Sequence, residues 1–293
     1  MSNEPSSPRS NASFARKPSW LRRPLPQGPA FTRTQSLLRD LRCNTVCDGA
    51  NCPNRMECYQ RGVAAFLILG RVCTRNCAFC KISPGAPEPV DPQEPDRVAQ
   101  AAARLGLGHV VVTSVSRDDL PDGGAGHFAA VLGALRRTLA ASTLEVLIPD
   151  FGGDAASLQT VLDARPDVLN HNLETVPELY AAIRPRAVYA RSLALLERAK
   201  KNAAPGLTKS GLMLGLGETP QQIRRVLADL AAVGCDIVTI GQYLAPSARH
   251  APIDRYVTPE EFDAWAAYGA TLGIPRMHCA PLVRSSYNAG LFV

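Results

Sequence analysis

The chain has 293 residues, 46% of them hydrophobic, enough to bury the core of one large α/β domain or two small ones. Its net charge of +6 suits an acidic partner surface, while 6% aromatic residues and no basic run interleaved with aromatics leave little material for stacking on nucleic-acid bases. The longest apolar run, Val63 to Leu69, is far short of the roughly 20 residues that cross a bilayer.

Residues 1–34 read as an extended arm, because Pro5, Pro8, Pro18, Pro24, Pro26 and Pro29 interrupt any helix. The start of the arm is rich in Ser, Pro and Arg. It lacks the apolar core of a secretory signal and is too broken by proline for an amphipathic presequence. Nine cysteines in such a chain point to metal binding in a reducing cytoplasm. From Gln35 to Arg61 the sequence is crowded with Cys, Asn and Arg and reads as a metal-binding insert. Short apolar runs then predict six strands: Ala65–Leu69, Val110–Thr113, Glu145–Ile148, Val168–Asn170, Leu212–Leu216 and Ile237–Ile240. Between them, Phe128, Val131, Leu132 and Leu135 mark one buried helix face, and Ile223, Val226, Leu227 and Leu230 another. Thr219–Pro220 and Thr258–Pro259 supply helix starts, with Gln222 and Glu261 placed to complete capping boxes.

Such βαβ repetition implies a parallel sheet under helices. The length suits an incomplete (β/α)6 TIM-like barrel better than a full one, with a doubly wound open sheet as the alternative. The expected organisation is residues 1–62 as arm and insert, 63–275 as the partial barrel, and 276–293 as a C-terminal tail. In either architecture reactive groups belong in loops after the carboxyl ends of strands.

The first such loop carries Cys73-Thr-Arg-Asn-Cys77-Ala-Phe-Cys80. Thiolates are soft donors that hold iron–sulfur clusters, and a four-iron cube held by three of them keeps one iron open for a small molecule. A zinc site with a distant fourth ligand is the competing reading. The C-x3-C-x2-C spacing, the aromatic before the last cysteine and the place after the first strand resemble the radical S-adenosylmethionine (SAM) superfamily. The resemblance implies that the open iron chelates the amino and carboxylate groups of SAM. One electron then cleaves SAM to a 5′-deoxyadenosyl radical.

A second trio, Cys47-x4-Cys52-x5-Cys58, narrows the resemblance to the lipoyl synthases. Their other signatures follow in order: Lys17-Pro-Ser-Trp-Leu21, Phe66–Gly70, Val112–Gly124, Asn170-His-Asn-Leu-Glu174, Lys209–Met213, Gly241-Gln-Tyr-Leu244 and Arg284-Ser-Ser-Tyr287. The resemblance implies two 4Fe–4S clusters. An auxiliary one is held by Cys47, Cys52, Cys58 and, as fourth ligand, the hydroxyl of Ser286. It also implies sulfur insertion at C6 and C8 of an octanoyl group on a carrier lysine. The partners it implies are octanoylated lipoyl domains (2-oxoacid dehydrogenase E2 or glycine cleavage H protein), a flavodoxin- or ferredoxin-type electron donor, and an iron–sulfur carrier for cluster repair. On composition alone Ser286 would read as a surface hydroxyl in a tail.

Further residues follow from position. Arg117, Asp118 and Asp119 after the second strand are candidate contacts to the SAM amino group or ribose, though a solvated turn explains such charges equally well. Asn170 and Glu174 at the fourth strand join this set, with His171 placed near the pocket. Lys209 is expected to face the SAM carboxylate or the octanoyl carrier. Cys43, Cys235 and Cys279 read as bystanders. Among rivals, a biotin-synthase-like sulfur inserter would not need the trio at Cys47, Cys52 and Cys58. A ferredoxin-type electron carrier would need no barrel, and a zinc-stabilised interaction module would carry zinc in place of iron and sulfide.

Overall fold

A computed structural model describes residues 17–23, 29–202 and 206–293. The arm prolines 5, 8, 24 and 26 lie outside the described residues. Three helices, α1 (Ala30–Asp40), α2 (Val46–Gly49) and α3 (Arg55–Gln60), precede the sheet. The arm is therefore shorter than expected, since residues 30–34 are already helical. Pro29 stands at the N-cap of α1, where a missing N–H costs nothing, and so starts the helix it was expected to prevent. Thr34 and Leu38 are buried, and the Thr34 hydroxyl donates to the Tyr59 carbonyl at 2.7 Å, docking α1 on α3.

The strands are β1 (Ala65–Ile68), the two-residue β2 (Val72–Cys73) and β3 (Ser83–Pro84), β4 (His109–Ser114), β5 (Thr143–Leu147), β6 (Val168–Asn170), β7 (Leu207–Leu214), β8 (Ile237–Gln242) and β9 (Arg276–Cys279). They alternate with α4 (Glu94–Leu105), α5 (Ala125–Thr138), α6 (Ala155–Asp163), α7 (Tyr180–Ile183), α8 (Tyr189–Lys201), α9 (Pro220–Ala232) and α10 (Pro259–Thr271). The main sheet has the order β1-β4-β5-β6-β7-β8-β9, and every neighbouring pair is parallel. Strand order thus follows chain order without the reversal that defines a doubly wound sheet. The arrangement is a partial barrel.

Strands form at all six expected places, although the fifth, β7, starts five residues before Leu212 and ends at Leu214, ahead of Gly215 with its φ of 97°; the sheet gains a seventh, β9, from the first residues assigned to the tail. Its sequence Arg-Met-His-Cys is only half-buried and carries no apolar run, so nothing in it announces a strand. By contrast β1 and β8 are buried throughout, as parallel strands covered by helices should be. The expected faces of α5 and α9 are buried as read. The capping box at Thr219 and Gln222 is complete. At Thr258 only half forms, because the Glu261 carboxylate turns to Arg255 at 2.7 Å.

The insert packs on β1, and the tail packs on β8 and reaches back to the insert. Thr45 bridges antiparallel to Phe66 on β1, and the Gln242 N–H at the end of β8 donates to the Pro281 carbonyl at 3.1 Å. A Cβ on Gly241 would lie 2.1 Å from the Val283 carbonyl, so only glycine lets the tail lie this close to β8.

Candidate active site

The loop that leaves β1 holds Cys73, Cys77 and Cys80, all half-buried. Backbone bonds pin it: Ala78 donates to Ile183 at 2.9 Å, and Ala251 donates to Ala78 at 2.8 Å. Phe79 packs against the small core that contains Tyr243 and Leu216. The sulfur of Cys73 accepts from the backbone N–H groups of Ser116 at 3.3 Å and Arg75 at 3.4 Å. Such donors suit a sulfur that becomes anionic when it binds metal. Burial raises the thiol of Cys77 and takes that of Cys80 to about 12, so both keep their protons until a metal displaces them.

Arg75, inside this loop, was not singled out from sequence. Its buried guanidinium pairs with Asp118 at 2.7 Å and Asp150 at 2.5 Å, and Asp150 also pairs with Arg191 at 3.2 Å. The cysteine loop is thereby braced against the loops after β4 and β5.

The second trio comes from α2, the turn after it and α3. Burial raises Cys47 to about 12 and Cys58 to about 11. The tail is stitched over these residues. Asn54 donates to the Leu282 carbonyl at 2.6 Å, and Tyr287 donates to Glu57 at 2.9 Å. Ser285 is bonded to the Asn172 amide at 2.7 and 3.1 Å. Ser286, next in sequence, lines a cavity of about 490 Å³ together with Cys47, Cys52 and Cys80. Members of both trios and the serine therefore line one cavity. Among the described residues, no three His, Cys, Asp or Glu side chains converge tightly enough to hold a single ion. A four-iron cube sets each thiolate on a different iron and needs no such convergence.

Of the residues expected to contact SAM or the carrier, Glu174 lines this cavity. It does so from a φ of 66°, a conformation that costs a non-glycine residue of order 1–3 kcal/mol. Its backbone is held there by Gly211 and Met213 of β7, and burial raises its carboxyl. The others are committed elsewhere. Arg117 pairs with Asp119 at 2.8 Å and donates to the Leu69 carbonyl, and Asp118 is held by Arg75 and Thr74. Lys209, 1% exposed, points into the barrel and pairs with Glu145 at 2.8 Å, which also accepts from Asn170 at 3.2 Å. Each of these five residues has a protein partner, although the Asn170 Oδ1 is buried without a hydrogen-bond partner. Asn172, Phe79 and Arg284 line the cavity and were missed as candidates, although each lies within a quoted motif.

Lys209→Met should therefore lower stability by about 3–5 kcal/mol, since Glu145 would keep a buried charge without its partner. The urea midpoint of the variant checks this. Adding Glu145→Gln should recover much of the loss.

His171 also lies away from the cavity. Its ring is fully buried between the Ile148 carbonyl and the Ser192 hydroxyl, both at 2.9 Å, and burial lowers its pKa from 6.5 to about 4. Between those values the unfolded chain binds a proton that the folded chain refuses. Stability is whole above the unfolded value and falls as pH drops from 6.5 towards 4, by about 3 kcal/mol in all. Urea unfolding across this range should show the slope, and His171→Gln should flatten it.

The partial parallel barrel and its cysteine loop define a radical SAM enzyme, and the model of the radical SAM superfamily matches residues 67–230. Among solved structures, the FeFe-hydrogenase maturase HydG superposes with a TM-score of 0.57, covering 84% of this chain and 62% of that one at 13% identity. SuiB of Streptococcus suis does so at 0.56, over 78% and 54%, at 11% identity. Both speak for the fold alone. The lipoyl synthase of Oleidesulfovibrio alaskensis is 60% identical over 283 residues, 97% of each chain, and that of Nitratidesulfovibrio vulgaris 59% over 284 residues, 97% of this chain and 95% of its own. That of Caldanaerobacter subterraneus is 52% identical over 275 residues, 94% and 96%. The chain belongs to the lipoyl synthase family of radical SAM enzymes.

Proposed function

We propose that the protein inserts sulfur at C6 and C8 of an octanoyl group carried on a lysine of a lipoyl domain. In this reading Cys73, Cys77 and Cys80 hold the cluster that binds SAM, and Cys47, Cys52, Cys58 and Ser286 hold an auxiliary cluster. When bound, these groups supply a radical able to take hydrogen from an unactivated C–H bond and the sulfur that replaces it. No side-chain base could do the first task, since an alkane C–H is not acidic enough at neutral pH. The observation that carries the reading is the cavity lined in common by Cys47, Cys52, Cys80 and Ser286.

The chain's own groups have the complementary tasks. Phe79, Leu212, Met213 and Leu244 give the cavity an apolar side suited to an alkyl chain. Tyr243 is fixed by its hydroxyl, which donates to the Ala251 carbonyl at 2.8 Å. Glu174 and Arg284 offer one acceptor and one cation for the polar ends of SAM or the carrier arm. Anaerobic turnover with an octanoylated lipoyl domain, read by mass, should show two sulfur atoms gained. An unchanged carrier mass beside continued SAM cleavage would overturn the proposal.

We place the reaction in the cytoplasm, with a flavodoxin or ferredoxin as reductant and an iron–sulfur carrier for repair. Among the described residues no helix is long and apolar enough to cross a membrane. With a net charge of +6, affinity for an acidic lipoyl domain should fall as salt rises, because exposed charges are screened over about 8 Å at physiological ionic strength. Titration calorimetry at two salt concentrations checks this. Lys17 and Arg22 are the described candidates for steering. Arg23 is already paired with Glu57 at 3.1 Å, and Arg16 lies outside the described residues.

A further inference from the structure

A second cavity, of about 260 Å³, reaches the auxiliary thiols from elsewhere. Cys47, Cys52 and Ser286 line both cavities, whereas Cys58 lines only this one. Its lining includes Gly62 and Val63 just before β1 and Gly106 and Gly108 just before β4. Those are the amino ends of strands, while Glu174 and Tyr243 of the first cavity follow carboxyl ends. Val63 is 37% exposed and Leu291 beside it 77% exposed, so the rim meets solvent. The auxiliary ligands thus sit between two openings, of which one avoids Cys80 and the substrate cavity.

The lining indicates what would pass. Besides the cysteines and Tyr287, the ionisable side chains of this cavity are Arg61, His109 and Arg284, and among the described residues no carboxylate lines it. Arg61 is partly matched by Glu57 at 3.7 Å and His109 by Glu145 at 3.3 Å. Arg284 donates to its neighbour's carbonyl at 2.6 Å and forms no ion pair among the described residues. Arg284, which lines both cavities and has no ion pair among the described residues, and the lack of a carboxylate among the described lining residues favour a small anion here over a metal complex of positive charge. We infer that this cavity is the route by which hydrosulfide reaches Cys47, Cys52 and Cys58, so that the auxiliary cluster is supplied with sulfide from the side away from substrate. The inference rests on the auxiliary-cluster reading above.

Two substitutions narrow the rim without touching a proposed ligand. Gly108 has a φ outside the left-handed region, and a Cβ there meets nothing within 4 Å, so Gly108→Trp can set a ring in the opening. Val63→Trp does so from the start of the neighbouring strand β1. The background is Cys73→Ala, Cys77→Ala and Cys80→Ala, in which only the auxiliary cluster can assemble. Ferrous iron and inorganic sulfide are added to the apo-protein anaerobically, and cluster absorbance is followed in time. Both plugs should slow assembly several-fold and reach the same final iron content, while Gly108→Ala should leave the rate unchanged. In the parent apo-protein, maleimide labelling of Cys58, mapped by mass, should fall with either plug, and labelling of Cys80 should not. Absence of any cluster in the unplugged background would overturn the auxiliary reading and this inference with it. Unchanged assembly in both plugged variants beside normal assembly in that background would overturn the route alone.

Discussion

Replacing Cys73, Cys77 and Cys80 together by alanine should leave a folded protein that binds one four-iron cluster where the parent binds two, and that no longer cleaves SAM. The fold should survive because the loop is held by groups other than its thiols. The Ala78 and Ala251 backbone bonds and the Arg75 pairs to Asp118 and Asp150 all remain. Iron and sulfide should fall by half, since the second trio is separate in sequence and comes from the insert. The loss of cleavage should be complete, not partial. A carboxylate or hydroxyl near the loop cannot substitute for three soft donors around one cube. Metal analysis and 5′-deoxyadenosine production by mass are the measurements. SAM cleavage that survived the change would remove the assignment of this loop.

Ser286→Cys should separate SAM cleavage from sulfur insertion. A hydroxyl oxygen is a hard donor and holds iron less firmly than a thiolate, so a cluster closed by Ser286 can open on one side. The cysteine variant should still assemble the auxiliary cluster and still form 5′-deoxyadenosine, with little matching lipoyl product. Ser286→Ala should instead give a cluster that loses iron. The neighbouring Ser285→Ala makes a useful comparison, since its hydroxyl is bonded to Asn172 at 2.7 Å. Its loss should cost about 1 kcal/mol of tail docking and leave coordination alone. Lipoyl product at the parent rate from Ser286→Cys would show that oxygen ligation is not what permits sulfur release.

What could be read in advance was what short-range pattern controls. The apolar runs at Ala65 and Ile237, the helix faces at Phe128 and Ile223, and the cysteine spacings each lie within a few residues of chain, and each has its counterpart in the fold. What stays hidden in the sequence is where a distant partner decides. Lys209 and Asn170 read as ligand contacts from their places at the fifth and fourth strands. Glu145, 64 residues before Lys209, bonds both of them inside the protein, which no local pattern announces. Arg117 and Asp119 satisfy one another, and Asp118 answers to Arg75, 43 residues away. β9 is a strand because β8 offers a free edge and not because of its own composition. Glu174, which lines the first cavity, sits where the backbone is strained, and sequence carries no mark of that.

The bonds from Asn54 to Leu282 and from Glu57 to Tyr287 join residues 228 and 230 positions apart. A ribosome releases the insert long before residues 282–287 exist, so on the proposed assignment the nascent chain presents three thiols before the serine that would close the set. Iron captured at that stage would be held by an open site in a protein whose barrel still lacks strands. On that assignment a finished ligand set would report that synthesis has passed residue 286 and that β8 and the tail have docked. A chain stopped short of that point could carry both cysteine motifs and still be unable to close the second site.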